Sequence, residues 1–338
     1  MVAGNKPHKA CAGNPSNGFS LHWATRAWAS KILLKKQLHG GALALTRSHL
    51  LVVLACLGFS FILIFSTILK NTGISSLQQV LFRVTLALLF ILIPIKGRIK
   101  LEKRDVPYFA ATGLVFSAFL LFALSSIVFD CPVAVATALI YTQPFFTVML
   151  SAFLGKEKVD ARKFAVVALG IVGAFLVSGA ATEPISNLNV FGLFLALFAG
   201  FLYAVYLYLK RMLKSGYAPL QGLFNTLLFA TPCTLLLGFA LRAFTENPIF
   251  IGFSAPDAEQ FALLFLFAFF CTAMPYGLLN YVKPNEVSPT TEGTILLLDP
   301  VLHNLWAVLI LRQQVSPIRY VGVGLILLSA AIMLRIKR

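Results

Sequence analysis

The stretch Thr290–Trp306, TTEGTILLLDPVLHNLW, contains three ionisable residues in a segment otherwise apolar enough to lie in a lipid bilayer. Seven positions separate Glu292 from Asp299 and four separate Asp299 from His303, so a helix of about 3.6 residues per turn presents all three on one face. Pro300 follows directly, and it cannot donate to the carbonyl four residues earlier, which leaves a backbone acceptor free near the acids. Ionisable groups at membrane depth cost about 2.5 to 3.5 kcal/mol each, so they normally face an interior cavity.

The composition is that of a membrane protein. Hydrophobic residues make up 59% of the 338 residues, charged residues make up 12%, and the mean hydropathy is +0.85. Soluble domains contain about 25% charged residues, so the composition excludes a soluble domain and makes the lipid bilayer the first predicted partner. The net charge of +16 would also suit a nucleic-acid binder, but these charges lie in short segments between apolar ones, where they set membrane topology. No nucleic-acid partner is predicted.

From residue 49 onward the sequence contains ten apolar segments of about the 20 residues needed to cross a bilayer. They run approximately over 49–69, 77–95, 107–129, 132–154, 162–180, 188–209, 218–241, 259–281, 289–311 and 317–335. The connecting loops are short, so each helix should lie beside its sequence neighbour. The predicted fold class is an all-α membrane protein with ten transmembrane helices.

Basic residues predict the orientation in the membrane. With the N-terminus in the cytoplasm, 23 lysines and arginines fall on the cytoplasmic side and three, Lys70, Arg242 and Arg312, fall on the other. Basic residues favour the cytoplasmic side, so we predict a multi-pass protein of the cell membrane with both termini cytoplasmic; an organellar membrane is the alternative. Residues 1–47 are basic and contain no acid. They are predicted to form a disordered cytoplasmic tail, and a transit peptide or a mis-assigned start codon remain alternatives.

The ten segments divide into two sets of five. Pro144 aligns with Pro300 at an offset of 156 residues, and in each half this proline is followed by a short turn and a glycine-rich closing helix. We predict a first five-helix repeat over 48–181 and a second over 188–335. Because five is an odd number of crossings, the second repeat should be inverted. Inverted repeats with interrupted helices at matching positions indicate a binding site near the bilayer midplane, with Pro144 and Pro300 as hinges.

Four stretches carry a resemblance to a known family. They are LGFSF at 57–61, TALIYTQPFFTVMLSAFLGKE at 137–157, FLYAVYLYLKR at 201–211 and EGTILLLDPVLHNLWAVLILRQQ at 292–314. Their order, spacing and duplication resemble the drug/metabolite transporter superfamily in its EamA-like ten-helix branch, over about residues 50 to 335. The resemblance implies secondary transport of small metabolites through a central cavity between the halves, often as export. The chain departs from the family pattern at Gln313, which corresponds to Glu157, and at Gln143, which corresponds to Asp299.

Asp299 is the first candidate for the binding site. A carboxylate in a cavity of low dielectric can bind a substrate ammonium group, or it can load and unload a proton. The alternative is that it caps free backbone donors around a kinked helix. Glu292 has the same functional interpretation, or it lies close enough to the cytoplasmic end to be solvated. His303, one turn beyond Asp299, could hydrogen-bond the carboxylate and share the proton.

Five further residues are candidates for the cavity wall. Gln143 occupies the repeat position of Asp299 and would present a neutral amide opposite it, so that the cavity has one negative wall. The other candidates, whose polar tips need partners in a cavity, are Tyr141, Tyr203, Tyr206 and Asn280. For each tyrosine the alternative is helix packing or a place in the interfacial belt.

Two other features predict structure rather than the site. Arg83 lies early in the second segment, and we expect it to snorkel to the external surface; the alternative is a counter-ion for a substrate carboxylate. Gly170 and Gly173 in the fifth segment, with Gly322 and Gly324 in the tenth, predict close packing of the last helix in each repeat.

The sequence contains no nucleotide-binding loop, catalytic motif or Cys/His ligand set. We therefore predict no catalytic residues, no cofactor and no metal. Its five cysteines show no ligand spacing and are interpreted as small core residues.

The repeats and the resemblance together predict a secondary active transporter of a small metabolite that works by alternating access. An amino acid or another amine-bearing compound is the favoured substrate, with export as the direction and proton coupling through Asp299; a homodimer is left open. An uncoupled exchanger or facilitator is the alternative. A passive channel would require rings of repeated polar residues, and an intramembrane enzyme would require a nucleophile or paired aspartates, so both are more remote.

Overall fold

The structure, a computed structural model, describes residues 46–129, 131–154, 160–182, 189–213, 216–243, 246, 251–309 and 316–336. Within those residues the chain forms α-helices, short 3₁₀ turns and one π-helical turn, with no strand. In chain order the helices are α1 (Arg47–Phe59), α2 (Ile62–Asn71), α3 (Ser76–Leu92), α4 (Val106–Val128), α5 (Val133–Ile140), α6 (Gln143–Phe153), α7 (Ala161–Ser178), α8 (Val190–Arg211), α9 (Pro219–Leu241), α10 (Ala258–Ala268), α11 (Met274–Asn280), α12 (Pro289–Leu296), α13 (Leu298–Leu309) and α14 (Pro317–Arg335). The predicted tail, 1–47, lies outside the described residues except for its last two.

Eight stretches of the described chain are long and apolar enough to cross a membrane. Three of them combine two helices, α1 with α2, α5 with α6, and α10 with α11; the other five contain α4, α7, α8, α9 and α14. The predicted class, an all-helical membrane protein, is therefore confirmed, whereas the predicted number of ten spans is not. Two predicted spans are missing from the eight. Helix α3 is apolar but only 17 residues long, and the predicted ninth span, divided at Leu297 into α12 and α13, is made less apolar by Glu292, Asp299, His303 and Asn304.

The fourth and ninth predicted segments break at equivalent places. Tyr141 and Thr142 separate α5 from α6, and Leu297 separates α12 from α13. Pro144 and Pro300 lie three residues beyond Tyr141 and Leu297, so the two breaks match at the predicted offset of 156 residues. Proline has no N–H to donate to the carbonyl four residues earlier, which weakens the helix in the preceding turn. The breaks agree with the repeat alignment, and the role of the two prolines as hinges stays a prediction.

The packing of the helices is nearly unchanged when the two halves are exchanged. Helices at equivalent positions pair with each other: α3 with α9, and α7 with α14. Most of the other main contacts occur in matching pairs. Helix α4 packs on α8 as α11 packs on α1, and α9 packs on α4 as α10 packs on α3. Likewise α5 and α6 pack on α8 as α12 and α13 pack on α1. Such an arrangement is expected of two repeats related by an approximate twofold axis, with the binding site near that axis.

Glycines allow α7 and α14 to approach closely. A Cβ atom built on Gly322 would lie 2.6 Å from the carbonyl oxygen of Gly173, and a Cβ atom on Gly173 would lie 2.9 Å from the carbonyl oxygen of Gly322. Both distances are shorter than Cβ atoms tolerate, so only glycine fits at these crossing points. The predicted close packing holds for Gly170, Gly173 and Gly322 but is wrong for Gly324, whose built Cβ has no neighbour within 4 Å.

Gly322→Ala is expected to lower the stability of the folded protein by about 1 to 3 kcal/mol, because a methyl group forced against backbone overpacks the crossing. Gly324→Ala is the matched control, since it makes the same change two residues away on the same helix, where the space is open. The measurement is the thermal unfolding midpoint of each purified variant in detergent. Equal midpoints for the two variants would contradict the close crossing.

Candidate functional site

A cavity of about 530 Å³ lies between the two halves of the bundle, within the range of about 300 to 1,000 Å³ that suits a small molecule. The two sides of the bundle are named here by their helices. The distal side is where α2, α4 and α7 end. The basic side is where α1, α4 and α7 begin, next to the basic segment 96–104. Residues near the distal helix ends line the mouth: Thr67, Ile127, Val133 and Ser178. Aromatic residues nearer the middle form the floor: Phe59, Phe119, Tyr203 and Tyr276. The cavity therefore reaches the distal side.

Asp299 and Tyr141 join the two repeats at the cavity wall. Both residues line the cavity, and the Tyr141 hydroxyl donates to Asp299 Oδ2 over 2.6 Å. Each is placed by a helix break, because Tyr141 lies in the gap before α6 and Asp299 is the second residue of α13, directly before Pro300. Asp299 is the one acidic side chain among the described residues that line the cavity. The sequence predicted both residues for the site, and the structure brings them into direct contact.

His303 also lines the cavity but does not bind Asp299 as expected. Its Nδ1 lies 2.9 Å from the carbonyl oxygen of Ser60, and since a carbonyl can only accept, Nδ1 carries the proton in this contact. Trp306 Nε1 donates to the Ser60 hydroxyl over 2.8 Å. Ser60 lies in the gap between α1 and α2, which is a third helix break. Helix α13 is therefore hydrogen-bonded to this break through His303 and Trp306. No direct hydrogen bond joins His303 and Asp299 in the described part of the chain, so nothing there supports the predicted sharing of a proton between them.

Two of the predicted tyrosines differ in their position relative to the cavity. Tyr203 lines it and stacks on Phe119, with ring centroids 4.5 Å apart and planes at 7°. Tyr206, one turn further along α8, is buried below the cavity floor, where its ring packs on Phe116 and Tyr276. Tyr206 therefore belongs to an aromatic layer on the basic side of the cavity, which is the packing alternative.

Gln143 and Asn280 are not among the residues that line the cavity. Gln143 is buried where α6 meets α12, and its amide Nε2 donates to Thr147 Oγ1 over 2.6 Å. Asn280 donates to the carbonyl of Tyr276 over 2.8 Å, at the end of α11. The expectation that Gln143 faces Asp299 across the cavity is therefore wrong, because the side chain turns back along its own helix.

Glu292 lies on the basic side in a buried ion cluster. Its carboxylate is only 1% exposed and is bound by the side chains of Lys210 and Arg211, at the end of α8. The remaining donors of the two cations reach backbone carbonyls, Lys210 Nζ that of Leu279 over 3.1 Å and Arg211 Nη1 that of Val287 over 2.8 Å. The predicted place of Glu292 in the binding site is wrong, because the carboxylate does not line the cavity. The alternative of a solvated carboxylate is wrong as well, because the residue is buried. With the aromatic layer, this Glu292 cluster closes the bundle on the basic side.

Glu286, in the loop between α11 and α12, ties that loop to α1. The Ser48 hydroxyl donates to Glu286 Oε2 over 2.6 Å, and Lys283 Nζ lies 3.1 Å from Oε1. The hydrogen bond from Ser48, and after it that from Lys283, lowers the pKa of Glu286 from 4.5 to about 2. A carboxyl group with a lowered pKa stabilises the fold above its unfolded pKa, and this contribution is lost only as the pH falls through the folded pKa. Glu286 thus stays ionised between about pH 5 and 8, so pH dependence in that window must come from another group.

Sequence reasoning misjudged Arg83 and made no prediction for Arg319. Arg83 does not snorkel outward: it is 4% exposed, and its side chain lines the cavity opposite the wall formed by α13. Arg319, near the start of α14, lines the distal part of the cavity, and its Nη1 donates to Asn304 Oδ1 over 3.3 Å. A signal was present in the sequence, since both arginines fall inside predicted spans, 77–95 and 317–335, rather than in loops.

No group of three or more His, Cys, Asp or Glu side chains in the described ranges could hold a metal ion. The cysteines at 56, 131 and 271 are buried, as the core interpretation predicts, and Cys233 is partly buried. The chemistry of the cavity therefore rests on Asp299, the two arginines, His303 and the tyrosine hydroxyls.

Comparison with known proteins identifies one family and several relatives. The model of the EamA-like transporter family matches residues 46–179 and again residues 190–335, in agreement with the predicted two-repeat organisation. An uncharacterized transporter of Clostridium kluyveri is 24% identical over 299 residues, which cover 85% of this chain and 92% of the relative. The threonine/homoserine exporter RhtA of Escherichia coli is 23% identical over 203 residues, which cover 59% of this chain and 61% of the exporter.

A plant relative and a solved structure extend the comparison. The chloroplastic phosphoenolpyruvate/phosphate translocator 3 of Oryza sativa subsp. japonica is 26% identical over 205 residues, which cover 58% of this chain and 50% of the translocator. A crystal structure that is 16% identical superposes with a TM-score of 0.67, over 84% of this chain and 95% of the other. At that identity the superposition shows a shared fold and nothing more about function.

Proposed function

The chain belongs to the EamA-like transporter family, within the drug/metabolite transporter superfamily, and we propose that it carries a small amine-bearing metabolite, such as an amino acid, through the cavity between its repeats. The family and the relatives are transporters, not enzymes. The observation that carries the proposal is the pair of Asp299 and Tyr141, which places one carboxylate in the wall of a cavity of metabolite size. A carboxylate in such a place suits an ammonium group, because a charge-assisted hydrogen bond is strengthened by the low dielectric of the surrounding protein.

The proposed mechanism is alternating access between the two sides of the membrane. The cavity mouth lies on the distal side, and the basic side is closed by the Glu292 cluster and the aromatic layer. Rocking of the two repeats would close the first side and open the second, with the helix breaks before Pro144 and Pro300 taking up the change. In this mechanism Glu292 acts in closure rather than in substrate binding.

The proposed location is the cell membrane, with the basic side in the cytoplasm and export as the direction. The excess of basic residues on one side supports this orientation, and the exporter among the relatives supports the direction. We further propose that Asp299 couples transport to protons, because the substrate ammonium and a proton would compete for the same carboxylate. An exchanger without proton coupling would use the same site for the amine alone.

Cells that produce the chain are expected to release one or a few amine-bearing metabolites in amounts above those of cells without it. The reason is that the cavity admits a small molecule and offers one carboxylate to bind it. The measurement is an unbiased comparison of metabolites in the medium, with cells that produce the Asp299→Asn variant as a matched control. The proposal would be wrong if no compound differed, or if those that differed carried no amine.

A further inference from the structure

Arg83 is a buried cation without a carboxylate partner in the described part of the chain. It is 4% exposed, and no described Asp or Glu lies within 4 Å of its guanidinium. By contrast, the buried cations at 210 and 211 share the carboxylate of Glu292. Asp299 is near enough to interact with Arg83 through its charge but forms no ion pair with it. A buried charge without a direct counter-charge is costly, so the position of Arg83 requires an explanation that Lys210 and Arg211 do not.

The π-helical turn Phe269–Ala273, between α10 and α11, fixes the guanidinium of Arg83. Arg83 Nε donates to Thr272 Oγ1, and Nη2 donates to the carbonyl of Cys271 over 2.8 Å. The guanidinium carbon also lies 4.9 Å from the ring centroid of Phe267. A π turn interrupts the regular bonding of an α-helix and occurs often at functional sites. Here the π turn supplies two acceptors and Phe267 of α10 supplies an aromatic face, which together hold the arginine in one orientation.

The rest of the guanidinium faces the cavity. An arginine has five N–H donors in a rigid fork, and two of them are used by Thr272 and Cys271. The others have no acceptor among the described residues, and Arg83 is part of the cavity lining, as is Asp299. The cavity thus contains a positively charged guanidinium group with free N–H donors, in addition to the carboxylate of Asp299. The two groups do not form an ion pair with each other.

We propose that Arg83 binds an oxyanion group of the transported metabolite, a carboxylate or a phosphate, while Asp299 binds its amine. The substrate class is then a zwitterion or an amine-bearing acid rather than a simple amine. A guanidinium fork matches the geometry of an oxyanion better than an ammonium does, and the low dielectric of the protein around Arg83 strengthens the pairing. The part of this inference that concerns the amine and Asp299 rests on the proposed transport function. The part that concerns Arg83 does not, since oxyanion binding by Arg83 can be measured without transport.

The first test measures binding of simple oxyanions by the purified full chain in detergent. Acetate and inorganic phosphate, compared with chloride at equal ionic strength, are expected to raise the unfolding midpoint, because a ligand that binds only the folded state stabilises it. The larger of the two effects identifies the carboxylate or the phosphate as the preferred group. Arg83→Met is expected to weaken this binding about tenfold or more. Arg242→Met, which removes an exposed arginine outside the cavity, should leave it unchanged.

The proposal would be overturned if the wild-type protein responded equally to all three anions, or if Arg83→Met kept the full response. Should Arg83→Met fail to fold, Arg83→Lys decides, because lysine keeps the charge and lacks the fork. We expect oxyanion affinity about tenfold lower for Arg83→Lys, and an unchanged affinity would count against the site.

The second test separates this inference from the proposed function. In proteoliposomes, L-threonine and L-homoserine are compared with threoninol, the amino alcohol that lacks the carboxylate of threonine. The two amino acids should be transported or should compete with transport, and threoninol should compete about tenfold less well. If threoninol competed equally, the transport of amines would stand and the role of Arg83 would fall. If no amine-bearing compound were transported while oxyanion binding still depended on Arg83, the proposed function would fall instead.

Discussion

Asp299→Asn is expected to lower transport of the amine-bearing substrate by about tenfold to a hundredfold, which corresponds to the loss of one charge-assisted hydrogen bond. The carboxylate lies in the cavity wall, where Tyr141 donates to it. Asparagine has nearly the same shape and can still accept from the tyrosine, so the change removes the charge and leaves the packing in place. Because asparagine cannot bind a proton in this range, the variant should also lose any response to a pH gradient. The measurement is uptake into proteoliposomes with and without a gradient.

Two variants make the Asp299 result specific. Glu259→Gln removes a carboxylate from an exposed position at the start of α10, also on the distal side, and should transport as the wild type does. Tyr141→Phe keeps the carboxylate and removes its donor, so it should have a smaller effect than Asp299→Asn and should retain the pH response. If Asp299→Asn transported normally with an unchanged pH response, Asp299 would be a structural residue, and both substrate binding and coupling at this position would be excluded.

Glu292→Gln is expected to lower the stability of the folded protein by about 3 to 5 kcal/mol. The carboxylate compensates two cations, Lys210 and Arg211, that are themselves almost fully buried. A neutral amide would leave both charges without a counter-charge in a region that water does not reach. The measurement is the unfolding midpoint in detergent, together with the yield of folded protein.

Controls for Glu292 come from the same side of the membrane. Glu286→Gln removes a more exposed carboxylate that binds Ser48 and Lys283. Glutamine can still accept from Ser48 and Lys283 stays exposed to solvent, so the loss of stability should be clearly smaller than for Glu292→Gln. Replacing Lys210 and Arg211 by methionine together with Glu292→Gln should recover part of the lost stability, since no buried charge then remains unpaired. A Glu292→Gln protein as stable as the wild type but impaired in substrate affinity would contradict the closure role and would return Glu292 to the binding site.

The sequence was sufficient to predict the membrane class, the two-repeat family organisation and a position for Asp299 that the structure places in the cavity wall. Hydropathy predicted the helices because lipid requires long apolar segments, and the offset between Pro144 and Pro300 predicted helix breaks that the structure places at equivalent positions. Asp299 could be identified because it is an acid beside a proline inside an apolar segment. Placing such a charge in a membrane costs free energy, so a functional role is the default interpretation. Tyr141 was predicted for the site as well, and its contact with Asp299 depends on both breaks.

The errors in the predicted site have a common physical cause. Glu292 and Asp299 share a face only if the helix between them is continuous, but the break at Leu297 turns α12 toward α8 and α13 toward the cavity. Gln143 has the same position beside its proline as Asp299, yet its amide binds Thr147 within α6. Periodicity fixes which residues share a face of one helix, and it does not fix how that face is rotated relative to neighbouring helices.

Arg83 was misjudged for a different reason. A lone arginine near the end of an apolar segment usually extends to the surface, and that expectation holds when no acceptor is available inside. The acceptors for Arg83 are a hydroxyl and a carbonyl of the π turn Phe269–Ala273, almost 190 residues away in the sequence. A π turn depends on packing between helices, so a single sequence contains little sign of it.

The measurement that tests the central claim most directly is solute counterflow in proteoliposomes that contain the wild-type protein. Vesicles are loaded with an unlabelled substrate identified from the metabolite comparison, and a trace of the labelled compound is added outside. A carrier that exposes its cavity to one side at a time should accumulate the label transiently above its equilibrium level. Uptake that only equilibrates and is indifferent to the substrate inside, together with single-channel currents in a planar bilayer, would contradict alternating access and identify the cavity as part of an open pore.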